Sequence, residues 1–282
     1  MANTHYPDDA AYIRAGALID DDQHDWHPDR AVVNGLRQSL GLVPRDFEKE
    51  PMYAAANEYP DSMLLDEKEL KEAFEQQKAD RATLWDLRNR ANGLLDSLDQ
   101  NGKGLCWAFS TTKAIMYARA MSGFIGPKLS GWWIAGRIMS WRDQGGWGEA
   151  SMKYAAQFGI VTDAQCPAYN KKYDTPENNK LALEHLVSEW WETSEDKDKR
   201  THQMLSAMAL GIGGGVFDSN QMGHSMSSCY CPRFVSLHDM DIVCDNSWGH
   251  GDATTKGTYL MKGSKARPDG YVICRVSKAI IV

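Results

Sequence analysis

The chain has 282 residues, 43% hydrophobic and 24% charged, and this composition excludes a generally disordered or a fibrous protein. Its net charge is −7, with neither a basic stripe nor an apolar run of roughly 18 residues, which excludes nucleic-acid-binding and membrane-spanning classes. Six cysteines, scattered from Cys106 to Cys274, are too few for a disulfide scaffold, so we expect a reducing compartment and no disulfide.

The acidity is concentrated in the N-terminal third of the chain. Residues 1–90 hold 19 acidic and 11 basic residues, a net charge of −8, whereas the remainder carries +1. The first residues, MANTHYPDDAAYIRAG, are acidic and do not show a basic segment followed by an apolar one. We therefore expect no secretory signal peptide.

Two segments precede the main body of the chain. Residues 1–61 contain five prolines and show no sustained period, which is typical of an extended arm, with one short helix near residues 30–40. In residues 62–91 apolar side chains recur at helical spacing among many charges, which predicts a surface helix or helical hairpin covering the core of the next domain. We therefore divide the chain into an acidic extension, residues 1–91, and a domain of residues 92–282.

Within the main domain, helical patterns come first and strand patterns follow. The helical patterns cover residues 106–121, 148–158, 179–193 and 200–210. The glycines between 211 and 215 indicate a turn that crosses between lobes. Runs rich in Val, Ile and Tyr then predict strands at residues 224–230, 233–238, 241–245, 257–262 and 270–276. This order predicts an α+β fold with two packed lobes and a cleft between them.

The sharpest local feature is Cys106, which follows the glycine-containing loop Asn101-Gly102-Lys103-Gly104-Leu105 and opens an apolar helical pattern. A buried lone cysteine is often inert packing. At a helix N-terminus, however, the positive end of the macrodipole favours the thiolate, which is the nucleophilic form of the side chain. Cys106 is therefore a candidate nucleophile.

A cysteine nucleophile needs a base, and the base needs an orienting group. His224 stands at the start of a strand pattern, and Asn246 follows at the end of another one. An amide oxygen can accept from one imidazole nitrogen and leave the other facing the thiol. Such a pairing is weak evidence by itself, because each residue type is more often satisfied within a turn.

Together these segments resemble the papain-like cysteine peptidases. The matching residues are Gln100 and Cys106-Trp107-Ala108-Phe109-Ser110, then Gln144-Gly145-Gly146-Trp147, Gly223-His224-Ser225, Asn246-Ser247-Trp248-Gly249 and Gly257-Thr258-Tyr259. The stretch from Ala150 to Ile160 is similar to the helix that follows the family's glycine pair. The blocks stand in the family's order over about 190 residues, which makes the resemblance specific.

The resemblance implies a role for each matched residue. Cys106 would be the nucleophile, His224 the base, Asn246 the group that orients His224, and Gln100 a donor to the oxyanion. Residues that bind substrate or line the cleft would be Gly145, Gly146, Trp147, Ser225 and Trp248, and Trp248 would also shield the His–Asn hydrogen bond from water. The family uses no cofactor.

The chain also departs from the family's pattern. Lys103 stands where the family usually has a cysteine that is disulfide-bonded within the helical lobe, and Asp143, before Gln144, stands where the family commonly has another cysteine. Leu105 replaces a small residue before the nucleophile. The pro-region helix signature of the family is missing from residues 1–90. This favours the acidic arm as a tether to a basic partner surface over a cleavable inhibitor.

Other sites are weaker. His224, Cys229 and Cys231 could be drawn as a zinc site, but no fourth ligand has a suitable spacing, so we expect no metal. The glycines of residues 211–215 lack the Lys-Ser/Thr of a phosphate-binding loop. The Trp132-Trp133 and Trp190-Trp191 pairs are expected in the core and the cleft wall.

Three functions follow from these observations. The first is a cysteine peptidase that hydrolyses peptide or amide bonds through an acyl-enzyme, acting on a peptide or protein. The second is a hydrolase of peptidoglycan stem peptides, which would use the same chemistry. The third is a structural protein of a virion or another assembly that retains the fold, because papain-like chains without signal or pro-region resemble some encoded by bacteriophages. The expected location is cytoplasmic or virion, with neither nucleic-acid nor membrane partners.

Overall fold

The computed structural model describes residues 6–21, 57–249 and 251–276. The helix predicted near residues 30–40 lies outside these ranges. The α-helices of the described residues are α1 Asp9–Arg14, α2 Glu67–Ala79, α3 Leu84–Arg90, α4 Cys106–Met121, α5 Gly131–Met139, α6 Gly148–Phe158, α7 Pro176–Ala182 and α8 Lys197–Ala209. None of them is long and apolar enough to cross a membrane.

In the described ranges eight strands form one sheet. The strands are β1 Leu18–Ile19, β2 Asn57–Glu58, β3 Glu189–Glu192, β4 Gly214–Ser219, β5 His224–Ser236, β6 Asp239–Asp245, β7 Thr258–Met261 and β8 Gly270–Arg275. Their order is β1-β7-β6-β5-β4-β8-β3-β2. The six inner strands pair antiparallel, and the two edge strands from the extension pair parallel with β7 and β3. The predicted α+β class is therefore confirmed.

The sheet is buried on both faces, because its side chains alternate between two cores. Val216, Val243 and Val272 belong to the core shared with α4, and their strand neighbours, such as Phe217, belong to a second core. Helices α2 and α8 cover that second core with Leu70, Phe74, Met204 and Leu205. The prediction that residues 62–91 cover a core holds for α2.

Both helices of the extension have strong start signals. Asp66 caps α2 and Glu69 returns the hydrogen bond to the Asp66 backbone, a capping box. Thr83 and Asp86 form the same arrangement at α3. Helix α3 packs against α4 and β5. The domain boundary at 91/92 stays a prediction.

The structure corrects the sequence analysis in several places. Residues 179–193 are not one helix: α7 ends at Ala182, and Trp190 and Trp191 lie in β3, paired with β8. The glycines of residues 211–215 are not only a turn, because Gly214 and Gly215 belong to β4. A Cβ atom on Gly214 would lie 2.0 Å from the Ala114 carbonyl oxygen, so glycine is needed there to let β4 pack directly on α4.

Candidate functional site

The candidate nucleophile lies at the start of a buried helix. Cys106 is the first residue of α4, and 1% of its surface is exposed. The loop before it turns through Asn101 and Gly102, whose φ values are 48° and 70°. The thiol therefore lies near the positive end of the macrodipole of a sixteen-residue helix.

Helix α4 runs along strand β5 in the same direction. The Ser227 hydroxyl donates to the Ser110 carbonyl at 2.7 Å, and further along both elements the Cys229 thiol lies 3.8 Å from the Tyr117 hydroxyl oxygen. The chain therefore advances along the helix and along the strand in parallel.

Followed backwards, this register leads to the two central residues of the candidate site. Cys106 lies four residues before Ser110 on the helix, and His224 lies three residues before Ser227 on the strand. A helix rises about 1.5 Å per residue and a strand about 3.3 Å. The thiol and the imidazole accordingly start their elements at the same end of the interface between helix and sheet.

The imidazole of His224 is oriented by Asn246. Its Nε2 atom lies 2.6 Å from the Asn246 Oδ1 atom, and both residues are buried. The backbone N–H of Ser247 donates to the same Oδ1 atom at 2.6 Å, which identifies this atom as the amide oxygen. Nε2 must then carry the proton and donate it, so Nδ1 is the nitrogen available to a thiol.

Trp248 covers this hydrogen bond. Its ring lies over the His224 imidazole with centroids 4.5 Å apart and planes inclined by 31°. Tyr259 packs edge-on against the indole with a centroid separation of 6.0 Å. The aromatic cover lowers the local dielectric around the His224–Asn246 hydrogen bond, which strengthens it.

Gln100 is held by the same segment. Its backbone N–H donates to the Ser247 carbonyl at 2.8 Å, and its Oε1 atom accepts from the Ser247 hydroxyl at 2.5 Å. Its Nε2 atom donates one proton to the Lys103 carbonyl at 2.5 Å. An amide nitrogen has two protons, so a second one is available to an oxyanion.

The glycine pair lies against the helix that carries Cys106. The Trp107 indole N–H donates to the Gln144 carbonyl at 3.4 Å, and a Cβ on Gly146 would come within 2.5 Å of the Trp107 ring. Gly146 is buried, whereas Gly145 and Trp147 are half-buried. Because glycine has no side chain, the backbone at position 146 can contact the Trp107 indole directly.

The two residues that replace the family's cysteines contact each other. The Lys103 ammonium lies 3.6 Å from the Asp143 carboxylate, which also accepts from the Gly104 backbone N–H at 3.0 Å. This ion pair joins the loop before the nucleophile to the loop before the glycine pair. All six cysteines are free in the structure.

Ser225 lies further inside the fold than its neighbours. It is fully buried in β5 opposite Asp218 of β4, and within the described residues its hydroxyl has no hydrogen-bond partner. Of the residues expected to bind substrate, the structure therefore places Gly145, Trp147 and Trp248 at partly exposed positions and Ser225 at a buried one.

The sequence analysis missed a buried ionic cluster next to Asn246. Asp245 ends β6 with its carboxylate fully buried, 3.5 Å from Arg88 of α3 and 3.2 Å from Lys113 of α4. The Tyr117 hydroxyl also donates to it, and the Ser97 hydroxyl donates at 2.5 Å. The available signal was Lys113 itself, a lysine in the middle of a helix whose only other charged residue is Arg119.

The charges of this cluster shift one another's pKa values. Burial would raise the pKa of Asp245, but the cations Arg88 and Lys113 outweigh it and the net shift is downward. Burial lowers the pKa of Lys113 to about 8 despite the opposing effect of Asp245. With two cations and one carboxylate, the cluster is net positive at neutral pH.

Burial favours the protonated form of the other five cysteines. Burial raises the pKa of Cys166 to about 11 and those of Cys229 and Cys274 to about 12. The pKa values of Cys231 and Cys244 are raised for the same reason.

Within the described part of the chain, no group of three or more His, Cys, Asp or Glu side chains is placed to hold a metal ion.

No protein-family model matches the sequence, and no curated protein matches it significantly. Solved structures do match by fold. Xylellain, a cysteine protease from Xylella fastidiosa, aligns with a TM-score of 0.52 and 15% identity, over 65% of this chain and 83% of that protein.

Two further solved structures are similar to this chain in fold. Procathepsin L 3 from the larval midgut of Tenebrio molitor gives a TM-score of 0.51 at 12% identity, over 89% of this chain and all of that protein. The bromelain protease of Ananas comosus, solved in complex with the E64 inhibitor, gives 0.51 at 16% identity, over 67% of this chain and 97% of that protein. At these identities the likeness establishes the architecture: the chain has the two-lobed papain-like cysteine protease fold that its motifs predict.

Proposed function

We propose that the protein is a cysteine peptidase that hydrolyses peptide or amide bonds through Cys106, His224 and Asn246. The observation that carries the proposal is the 2.6 Å hydrogen bond between His224 Nε2 and Asn246 Oδ1, which leaves Nδ1 as the nitrogen able to exchange a proton with a thiol. The cysteine protease fold of the structural neighbours supports the same reaction class.

The first half of the reaction forms an acyl-enzyme. The Cys106 thiol gives its proton to His224 Nδ1, and the thiolate attacks the substrate carbonyl carbon, so a C–S bond forms and the carbonyl π electrons move to oxygen. When the tetrahedral intermediate collapses, the C–N bond breaks and the amine leaves with the proton from His224. The second half repeats these steps with water as nucleophile, which releases the acid and restores the thiol.

Gln100 stabilises the tetrahedral intermediate in this proposal. The side-chain proton of Gln100 that is not bonded to Lys103, together with the Cys106 backbone N–H, would donate to the oxyanion. A single donor of this kind typically lowers the barrier by about 3–4 kcal/mol. The two bonds to Ser247 hold the amide in place, so the donor needs little reorganisation during the reaction.

The substrate would lie along the glycine pair. Backbone at Gly145 and Gly146 offers an extended peptide close approach, and Trp147 and Trp248 provide partly exposed aromatic walls. Ser225 is next to His224 in β5 and is fully buried, so it would support the cleft from below and would not contact the substrate surface directly. The substrate class is a peptide or protein in an extended conformation.

The test is hydrolysis of denatured, fluorescently labelled casein together with alkylation of the protein by iodoacetamide. We expect casein cleavage by the wild type, its loss in Cys106→Ala, and full retention in the matched control Cys166→Ala, since Cys166 is a buried thiol outside the site. Mass mapping should find Cys106 alkylated well before the other five cysteines. Cleavage that survives in Cys106→Ala would rule the proposal out.

A further inference from the structure

Helix α3 of the N-terminal extension contacts the segment that carries Asn246. Arg88 extends from α3 into the buried cluster, with its Nη1 atom 3.5 Å from the Asp245 carboxylate. Its Nη2 atom donates to the Ser97 hydroxyl at 3.1 Å and to the carbonyl of Lys256. The guanidinium is fully buried, so these contacts are shielded from water and salt.

The contacts of Arg88 with Asp245 and with Lys256 lie on either side of the Asn246 backbone. Asp245 is the residue directly before Asn246, and Lys256 is directly before Gly257, whose carbonyl accepts the Asn246 backbone N–H at 3.2 Å. One planar guanidinium thus bridges the end of β6 and the turn before β7, the two segments that hold Asn246. Lysine could not reproduce this fork, because its ammonium is a single point charge.

The Lys256 backbone shows why such a clamp is needed. Its φ is 53°, in the left-handed region that non-glycine residues rarely adopt, and such conformations persist only where neighbouring contacts impose them. Two of these contacts come from α3: Arg88 donates to the Lys256 carbonyl, and the side-chain oxygen of Asn89 accepts from the Lys256 ammonium at 2.5 Å. The Ser97 hydroxyl also donates to the Lys256 carbonyl at 3.0 Å, and the Lys256 backbone N–H donates to the Asp252 carbonyl at 2.6 Å.

The opposite side of the cluster is part of the nucleophile helix. Lys113 of α4 lies 3.2 Å from the Asp245 carboxylate and also donates to the carbonyls of Leu95 and Asp96. Lys113 is seven residues, two helical turns, beyond Cys106. A single carboxylate therefore joins the extension, the helix of the nucleophile and the strand of the orienting residue.

We propose that Arg88 is a positioning residue for the active site, so that the extension is a working part of the enzyme rather than a removable segment. This inference rests on the proposed peptidase function. Arg88 acts through Asp245 and Lys256 on Asn246, and through Asn246 on the imidazole that pairs with Cys106.

The test compares the rate of Cys106 alkylation by iodoacetamide at pH 6 and at pH 10. At pH 6 a cysteine is a thiolate only if its surroundings favour the charge, and the imidazolium of His224 is the part of those surroundings that depends on Asn246, whereas at pH 10 the thiol is ionised without help. The pH 6 rate thus reports the pairing of Cys106 with His224. The pH 10 rate reports folding and access to the thiol, which a merely structural role would change equally.

We expect Arg88→Met to slow alkylation at pH 6 about tenfold and to leave the rate at pH 10 within twofold. A tenfold effect is typical of a residue that acts on a site through another residue. At pH 6 the variant leaves Asp245 balanced by the charged Lys113. Because the charge of Arg88 is one of the causes that lower the pKa of Lys113, its removal favours the charged lysine at higher pH as well. Arg88→Lys should fall between it and the wild type. The control is Arg233→Met, which removes an arginine ion-paired with Asp239 and Asp241 nine residues along β5 from His224, and it should match the wild type at both values.

If Arg88→Met does not fold, as judged by near-ultraviolet circular dichroism, Arg88→Lys carries the test, because it keeps the charge and loses only the fork. An unchanged pH 6 rate in the folded variant, or equal losses at pH 6 and pH 10, would overturn the inference. Failure of the proposed function looks different: the wild type itself would then show the steep loss of alkylation at pH 6 that an unpaired thiol shows.

Discussion

At the scale of single residues, the proposed mechanism depends on one hydrogen bond that selects a tautomer. Asn246 accepts from His224 Nε2, and the Ser247 backbone N–H fixes which atom of the amide is oxygen. The imidazole has therefore one ring nitrogen assigned to orientation and the other assigned to proton transfer. Trp248 keeps water away from the first of these.

Asn246→Ala should lower the rate of casein hydrolysis about 100-fold, because a misplacement of the imidazole by about 1 Å has this effect. Iodoacetamide alkylation of Cys106 at pH 10 serves as the control and should stay close to that of the wild type. Equal hydrolysis by the variant and the wild type would show that His224 is oriented by some other group.

The pKa of Lys113 predicts how stability changes with pH. Its pKa is about 8 in the folded protein and about 10.5 when unfolded, so between these values the unfolded chain binds the additional proton. Stability then rises with pH across this window, because neutral lysine no longer bears the desolvation cost. The gain is at most about 3 kcal/mol, since one pH unit corresponds to about 1.4 kcal/mol.

The measurement is the free energy of unfolding of the wild type minus that of Lys113→Met, followed by urea denaturation from pH 7 to pH 10. The difference should move in favour of the wild type as pH rises. Asp245 does not interfere, because its pKa is lowered and it stays ionised throughout the window. A difference that is constant with pH would contradict the charge state assigned to the cluster.

At the scale of elements, an ion pair joins two positions at each of which the resemblance implies a cysteine. Lys103 and Asp143 join the nucleophile loop to the loop before the glycine pair, 3.6 Å apart. Their side chains are partly exposed, so the pair itself contributes at most about 1 kcal/mol. The ion pair shows that the two loops meet at these positions.

Replacing both residues by cysteine should therefore create a disulfide. We expect Lys103→Cys/Asp143→Cys, made in the Cys106→Ala background to prevent exchange with the nucleophile, to lose two free thiols on mild oxidation. Closing a loop of about 40 residues stabilises by up to about 4 kcal/mol in the chain-entropy model, seen as a higher Tm that reductant reverses. The single variant Lys103→Cys is the control, and two persistent thiols in the double variant would show that the loops do not meet.

The sequence predicted elements well where one periodicity dominates. Helices α4 and α6 and strands β6, β7 and β8 agree with their patterns, because the apolar spacing and the bounding glycines indicate the same structure. The two strands predicted at residues 224–230 and 233–238 are instead the single strand β5. It failed at Trp190-Trp191 and missed α5, where large aromatics and Gly131 hide the period. Gly131 is required by contact, since a Cβ there would lie 2.8 Å from the Phe109 ring.

The sequence likewise identified one part of the candidate site and missed another. Cys106, His224, Asn246 and Gln100 stand in short motifs whose spacing is visible in one dimension. The cluster of Arg88, Lys113 and Asp245 does not, because its members are separated by up to 157 positions and their pairing depends on the packing of α3 against α4.

At the scale of the whole molecule, the extension is built into the fold at several places. Tyr12 is fully buried and shares a hydrogen bond with Thr258 at 3.1 Å, and β1 pairs with β7. At the other edge of the sheet β2 pairs with β3, and α2 covers the second core. The role of the acidic arm as a tether stays a prediction, because residues 22–56 lie outside the described ranges.

A chain beginning at residue 92 should consequently fail to fold. It loses Leu70, Phe74 and Trp85 from the cores, and burying each such side chain stabilises by about 1.5–3 kcal/mol, a total comparable with the stability of a whole domain. Near-ultraviolet circular dichroism and casein hydrolysis provide the measurement, with a chain beginning at residue 6 as the control. A shortened chain that folds and gains activity would identify the extension as an inhibitory pro-segment instead.

The central claim is that Cys106 and His224 form a thiolate–imidazolium pair, and its most direct test is the ultraviolet absorbance of the thiolate near 240 nm. The difference between the wild type and Cys106→Ala isolates this one sulfur as pH is lowered. We predict that the thiolate signal persists below about pH 6, because the imidazolium and the N-terminus of α4 both favour it. A signal that disappears with a midpoint near the ordinary cysteine value of about 8.5 would contradict the pair and the peptidase function built on it.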